Sequence, residues 1–303
     1  MSKEKHLIVV VGPTAIGKTA LAVELAKTYG AVVVSADSRQ FYKELAIGTA
    51  KPTTEEMDGV THHFIDSHSV QQEYTAGMYE HDCIELLNEL FQKHQVVVLV
   101  GGSGLFIRAV CEGLDNIPGD KVIREQLIQE YEEKGLEDLQ DRLKTIDPIH
   151  YAQMDTANPH RVMRALEACL VTGKPFSELR TGEKKKRSFT ITTIGLEMER
   201  ELLYDRINRR VDSMLENGLL DEVKTILPFQ ELTALQTVGY REFYPYFKQE
   251  RSLEESVELV KRNTRRYAKQ QMTWFKKSKD TVWFEAGNHQ LIQTFLETKI
   301  KTE

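Results

Sequence analysis

Gly12-Pro13-Thr14-Ala15-Ile16-Gly17-Lys18-Thr19 fits the pattern G-x-x-x-x-G-K-[S/T] at every fixed position. Two glycines let the backbone fold around an anion with several N–H groups pointing inward, and the start of the following helix adds partial positive charge. Lys18 is spaced to reach a terminal phosphate, and the Thr19 hydroxyl to hold Mg²⁺. Gly12 through Thr19 are therefore the expected polyphosphate cradle. The motif fixes the charge of the ligand and leaves open what is transferred.

Asp37 lies just past a second apolar run, in Ser35-Ala36-Asp37-Ser38-Arg39-Gln40. In an open parallel sheet the carboxyl ends of neighbouring strands share one crevice, so Asp37 is expected to face the same ligand. Three roles are open to it: holding a metal, accepting a proton, or capping the next turn. The third strand ends Val100-Gly101-Gly102-Ser103-Gly104, where a metal-supporting Asp is usually sought and is missing. That weakens the reading as an NTP-hydrolysing motor. The glycines there suit either close approach of a large ligand or a tight strand-to-helix turn. Arg206 and Arg210 are one helical turn apart, either two more cations for the polyphosphate or a solvated basic face. Arg262, Arg265, Arg266 and Lys269 share one helical face, with Tyr267, Trp274 and Phe275 interleaved. Such a stripe tracks phosphates and stacks bases, or is a solvated face with aromatics in the core. His62 and His63, being adjacent, point different ways, which argues against a shared metal and for local hydrogen bonding.

The elements that must position these groups read as an α/β core. His6 to Val11 is a buried strand, Lys18 to Tyr29 a helix stopped near Gly30, and Ala31 to Ser35 and Val96 to Val100 are further strands. Helical sequence from Tyr79 to Lys93 lies between them. This alternation predicts a parallel sheet flanked by helices, similar to P-loop NTPases. From Pro118 to Arg187 no strand is evident. Helices are expected at Lys121–Lys134 and Leu136–Thr145, and another opens at Asn158-Pro159, carries Val162, Leu166, Cys169 and Leu170 as its stripe, and stops at Gly173. The reading is a core of residues 1–117 and 188–303 with an all-helical insertion at 118–187. Phe189 to Gly195 returns to the sheet, and the remainder is mostly helical with a tight turn near Gly239.

The chain has 303 residues and a formal charge of −6, so any nucleic-acid surface must come from local clustering of Lys and Arg. Cys83, Cys111 and Cys169 are dispersed and fit small buried residues better than a disulfide or zinc framework. No apolar run reaches the roughly 18 residues of a membrane span, and the N-terminal run is short for a signal peptide, so a cytoplasmic location is expected.

Eight segments, GPTAIGKT, SADSRQFY, IGTAKP, THHFID, GGSGLFIRA, HRVMRALE, VGYRE and AKQQMTWFKK, occur in the order seen in tRNA dimethylallyltransferases, which the chain resembles from about Leu7 to Phe275. The resemblance implies a fold similar to P-loop kinases, with a helical insertion closing over RNA. It implies transfer of a dimethylallyl group from dimethylallyl diphosphate to N6 of the adenosine 3′-adjacent to the anticodon, in tRNAs reading codons that begin with U. Carried over, Gly12 to Thr19 hold the diphosphate with Mg²⁺, Thr14 sits at the reacting end, Asp37 accepts the N6 proton and Arg210 adds a cation. Contacts to the anticodon stem-loop fall to Asp37, Ser38, Arg39, Gln40 and Ser103; to His160, Arg161, Val162, Met163 and Arg164; to Gln236, Thr237, Val238, Gly239, Tyr240 and Arg241; and to Arg265 and Arg266. Ser103 stands where the family commonly has Thr, and His160 where it often has Gln. A bacterial-type monomer without a zinc finger is expected.

Two other classes compete. One is a small-molecule or nucleoside kinase of the same fold, with Asp37 as base toward a hydroxyl. The other is a non-catalytic RNA-binding protein that uses the P-loop as a nucleotide sensor. The late basic-aromatic helix and the large insertion favour the transferase over the kinase. Lys18, Thr19 and Asp37 together favour it over the sensor.

Overall fold

The computed structural model describes residues 4–300. β1 (His6–Val11) and β4 (Val96–Val100) are buried along their whole length, as strands covered on both faces must be. They pair in parallel, and β1 pairs on its other edge with β5 (Thr190–Glu197). β2 (Val33–Ser35), β3 (His62–His63) and β6 (Thr281–Glu285) complete a six-stranded sheet of order β3-β2-β4-β1-β5-β6, parallel throughout.

Helices occupy the connections: α1 (Lys18–Tyr29), the short α2 (Thr54–Met57), α3 (Ala76–Leu90) and α4 (Gly104–Glu112). One apolar cluster joins Leu7, Val9, Leu99, Tyr79 and Phe41, and a second joins Ile8, Val10, Val98, Ile16 and Leu25. Alternate residues of β1 thus feed two cores, one per face of the sheet.

β2 begins at Val33 rather than Ala31. Gly30 takes a left-handed conformation, and the Ala31 N–H donates to the Ala26 carbonyl at 2.8 Å, so Ala31 finishes the helix cap. Two strands escape the sequence reading. β3 is two residues long, too short for periodicity, and β6 is a partly exposed edge strand in a region otherwise helical.

A second compact unit, Glu112–Lys185, holds five helices. These are α5 (Lys121–Lys134), α6 (Leu136–Ile146), α7 (Pro148–Gln153), α8 (Pro159–Thr172) and the short α9 (Phe176–Leu179). Its own core gathers Leu127, Leu139, Leu143, Val162 and Leu166. Asn158 caps α8 by accepting from the Arg161 N–H, and left-handed Gly173 ends it. Leu170, read as part of the α8 stripe, is instead exposed. The unit is wider at its start than the 118–187 read from sequence. The Lys185 N–H donates to the Glu112 carbonyl at 2.7 Å, closing its neck. Arg187 belongs to the main unit, where it pairs with Glu80 at 3.0 Å and caps the Ala109 and Val110 carbonyls of α4.

After β5 the main unit continues through α10 (Arg200–Glu216), α11 (Leu219–Ile226), the short α12 (Tyr244–Phe247), α13 (Leu253–Phe275) and, past β6, α14 (His289–Lys299). A capping box of Ser252 and Glu255 starts α13. Among the described residues no helix is long and apolar enough to cross a membrane.

Candidate active site

The Gly12–Thr19 loop joins the carboxyl end of β1 to the start of α1. Ile16, 2% exposed, anchors it in the core below, while Ala15 and Gly17 take left-handed conformations that turn the backbone around a concave face. The Lys18 ammonium donates to the Pro13 carbonyl at 2.7 Å, spanning the loop. The Arg210 guanidinium, from α10, donates to the Thr14 hydroxyl at 3.3 Å and toward the Ala50 carbonyl at 3.5 Å. Arg206, one turn earlier, brings a nitrogen to 3.9 Å from where a Cβ on Gly17 would stand.

Asp37 sits beyond β2 on the same side. Its Oδ1 accepts from the Arg39 N–H at 3.0 Å, which fixes the turn, and its Oδ2 lies toward Gly102. The turn is held further by Ser103, whose Oγ accepts from the Ser38 N–H at 2.9 Å and donates to the Ser38 hydroxyl at 3.0 Å. Gln40 donates to the Thr49 and Ala50 carbonyls. Thr14, Lys18, Thr19, Asp37, Ser38, Arg39, Gln40, Ser103 and Arg210 all line one cleft of about 480 Å³, as do Thr237, Val238 and Gly239.

Two cations and one carboxylate share the deep end of this cleft, a balance that suits a polyanion. Burial pulls the Lys18 ammonium down from 10.5 to about 8, opposed by the Asp37 charge and assisted by Arg210. Burial likewise lowers Arg210, against the pull of Asp37. Lys18 is the cation below about pH 8 and neutral above it, so affinity for a diphosphate should fall as pH rises from 7 to 9. Calorimetric titration of diphosphate at both pH values reads this directly, with Lys18→Met expected to flatten the profile. A profile of equal slope in both proteins would assign the pH dependence elsewhere.

The Gly-Gly-Ser-Gly turn serves packing, and the approach of a large ligand is not what its glycines admit. A Cβ on Gly102 would stand 2.4 Å from the Gln271 amide nitrogen, and one on Gly104 would stand 2.1 Å from the Trp274 indole nitrogen. The glycines admit α13. Gln271, 6% exposed, uses that proximity: its Oε1 accepts from the Thr14 N–H at 2.8 Å and its Nε2 donates to the Gly102 carbonyl at 2.9 Å. It ties the P-loop to the end of β4. The sequence reading passed over Gln271, although Thr264, Tyr267, Gln271 and Trp274 recur at helical spacing along α13 and all line the cleft.

Other expected contacts divide. His160 and Arg161 are exposed at the start of α8. Val162 and Met163 are 0% and 3% exposed in the core of the helical unit, so their side chains are withheld from any RNA. Arg164 is engaged by Glu167 and by the Ile117 and Pro118 carbonyls. Tyr240 is 0% exposed and also unavailable, while Gln236 and Arg241 are at the surface. Arg265 turns toward α10, donating to Asn208 at 2.6 Å and lying over the Tyr204 ring, whereas Arg262, Arg266 and Lys269 are exposed. Of the interleaved aromatics, Phe275 is in the core, and Tyr267 and Trp274 are each 38% exposed. His62 is occupied locally, its Nδ1 at 2.9 Å from the Val60 carbonyl.

A model of the family described as IPP transferase matches residues 40–278. Among similar curated proteins, the tRNA dimethylallyltransferase of Christiangramia forsetii is 48% identical over 98% of this chain and 99% of its own. That of Cytophaga hutchinsonii is 50% identical over 98% of each. Among solved structures, the full-length tRNA isopentenylpyrophosphate transferase from Bacillus halodurans superposes with a TM-score of 0.73 at 39% identity, covering 98% of this chain and 97% of that one. A eukaryotic dimethylallyltransferase acting on tRNA gives a TM-score of 0.79 at 26% identity, covering 97% of this chain and 77% of that one. With the P-loop, the Asp37 turn and Arg210 in one cleft, and with relatives matched end to end, the chain belongs to the IPP transferase family.

Proposed function

We propose that the protein transfers a dimethylallyl group from dimethylallyl diphosphate to N6 of the adenosine 3′-adjacent to the anticodon of tRNA, in tRNAs that read codons beginning with U. The observation that carries this reading is the single cleft in which the Thr14 hydroxyl, held by Arg210, and the Asp37 carboxylate both take part. One end suits a diphosphate and the other an acceptor that must give up a proton.

An exocyclic aromatic amine is a weak nucleophile because its lone pair is delocalised into the ring. In the proposed reaction the N6 lone pair attacks C1 of the allylic chain and the C1–O bond breaks. The electron pair leaves with diphosphate, and the N6 proton passes to the carboxylate of Asp37. Charge develops on the bridging and terminal oxygens of the leaving group. In this reading Lys18, Arg210 and the P-loop N–H groups stabilise that charge. The Asp37 Oδ1 is spent on its own turn, so Oδ2 is the basic atom in this reading.

Thr19 is the residue that would hold Mg²⁺, through its hydroxyl. Thr19 lines the cleft, and Gly101 and Gly102 occupy the end of β4 where a carboxylate ligand would otherwise stand. A small hard cation that keeps several waters would need few protein ligands beside that hydroxyl. When bound, it neutralises charge on the leaving diphosphate.

Arg39 and Gln40 at the cleft, with exposed Arg262, Arg266 and Lys269 on α13, are the proposed RNA-facing groups of the main unit. His160 and Arg161 are those of the helical unit. The protein is read as a cytoplasmic monomer. The deciding experiment is single-turnover transfer from labelled dimethylallyl diphosphate to an unmodified anticodon stem-loop, with Mg²⁺ and without ATP. Label on the adenosine after the anticodon, with stem-loop binding that weakens as salt rises, is expected. Binding without transfer, or protection of the P-loop by ATP at least as good as by the allylic diphosphate, would favour a kinase instead.

A further inference from the structure

Residues 46–48 present three successive backbone N–H groups to one point, and that point is a side chain of the protein itself. Glu222, in the first turns of α11, accepts at Oε2 from the Ala46 and Ile47 N–H groups at 3.0 and 2.8 Å, and at Oε1 from the Gly48 N–H at 2.9 Å. Successive N–H groups so arranged form an anion nest. Its fourth donor is the Tyr240 hydroxyl, 2.7 Å from Oε1. Burial first, and the Glu222 charge second, push that hydroxyl well above the usual range of a phenol, so it remains a donor. The Tyr240 ring packs closely against the loop, since a Cβ on Gly48 would stand 2.5 Å from its Cζ.

The segment so gripped reaches the site. Gly48, Thr49 and Ala50 line the cleft. The Thr49 and Ala50 carbonyls receive the Gln40 amide, and the Ala50 carbonyl also receives the Arg210 guanidinium whose other nitrogen meets Thr14. Ala50 is itself in a left-handed conformation, which a loop adopts only when its surroundings impose it. A carboxylate outside the cleft therefore sets the carbonyl that aims Arg210.

We infer that Glu222 is a positioning residue for the transfer reaction, an internal anion whose nest fixes the 46–50 loop and, through the Ala50 carbonyl, the guanidinium of Arg210. This rests on the transferase reading for its activity readout, while binding of inorganic diphosphate gives one that does not. Without the carboxylate, three N–H groups lose their acceptor and the loop shifts. A displacement of about 1 Å at a positioning group lowers turnover by roughly 100-fold.

The test is Glu222→Ala in the full chain, assayed for single-turnover transfer and for diphosphate affinity, with and without excess formate. Three results are expected together: a loss of about 10- to 100-fold in transfer, partial recovery when formate fills the vacated nest with no effect of formate on wild type, and little further loss when Glu222→Ala is added to Arg210→Ala. Full activity would overturn the inference. So would a loss that formate leaves unchanged and that adds in full to that of Arg210→Ala. Should Glu222→Ala fail to unfold cooperatively, Tyr240→Phe removes one of the four donors, and its smaller loss must show the same lack of additivity with Arg210→Ala. Should wild type transfer nothing, the function reading fails, and the same comparisons made on diphosphate affinity still decide the role of Glu222.

Discussion

Asp37→Asn should lower single-turnover transfer by about 10²- to 10⁴-fold, the usual worth of a positioned general base, while anticodon stem-loop affinity stays within a few-fold of wild type. Asparagine is the informative substitution because Asp37 does two jobs. Its Oδ1 accepts from the Arg39 N–H and shapes the turn carrying Ser38 and Gln40. An Asn Oδ1 keeps that bond and replaces only the basic oxygen with an amide. Asp37→Ala removes both, so the difference between the two variants separates base from turn cap. Were Asp37→Asn to turn over at the wild-type rate, the proton would have another acceptor, and Asp37 would revert to a structural role.

Arg210→Ala should reduce transfer by about 10²- to 10³-fold, comparable to removing one oriented donor from a site of developing negative charge. Most of the loss should fall on the chemical step, with a weaker effect on stem-loop affinity. Arg210→Lys should recover little. The guanidinium reaches Thr14 and Ala50 with two separate nitrogens, and a single ammonium cannot hold both with the same geometry. Rapid-quench transfer at saturating allylic diphosphate isolates the chemical step. An unchanged rate in Arg210→Ala would leave Lys18 and the loop N–H groups as the whole of the leaving-group site.

The parts of this site that lie close together in the chain were legible from sequence, and the parts that meet only in space were less so. The P-loop is contiguous, preceded by a fully buried strand and followed by a helix, so pattern and context agreed. Asp37 followed from topology, because β2 and β1 both end in the crevice that flanks β4. Arg210 was one of two cations on a helix, and only its burial against Thr14 separates it from Arg206 as the direct partner. Gln271 has only its helical spacing with Thr264, Tyr267 and Trp274 to mark it, and Glu222 has no local signal. One of two adjacent glutamines in a basic helix and a Glu in a charged one look like solvated residues until the fold brings Gly102 or the 46–48 backbone against them. At Val162, Met163, Tyr240 and Arg265 a motif marks a stretch of chain, while the fold sends some side chains of that stretch into a core or onto a neighbouring helix.

The sheet order bears on how the chain is made. β1 is covered on one edge by β4, complete at Val100, and on the other by β5, complete at Glu197. At roughly 5–20 residues per second, the stretch of about 100 residues between those points takes roughly 5–20 s to leave the ribosome. Throughout that interval a fully buried, largely apolar strand of the protein has a free edge, the kind of surface on which strands of other chains can add. What emerges meanwhile is Glu112–Lys185, a unit with its own core and no strand. A segment without strands offers no edge that can pair with β1 before β5 arrives. An insertion rich in strands at the same place would compete for that edge on every passage through the ribosome.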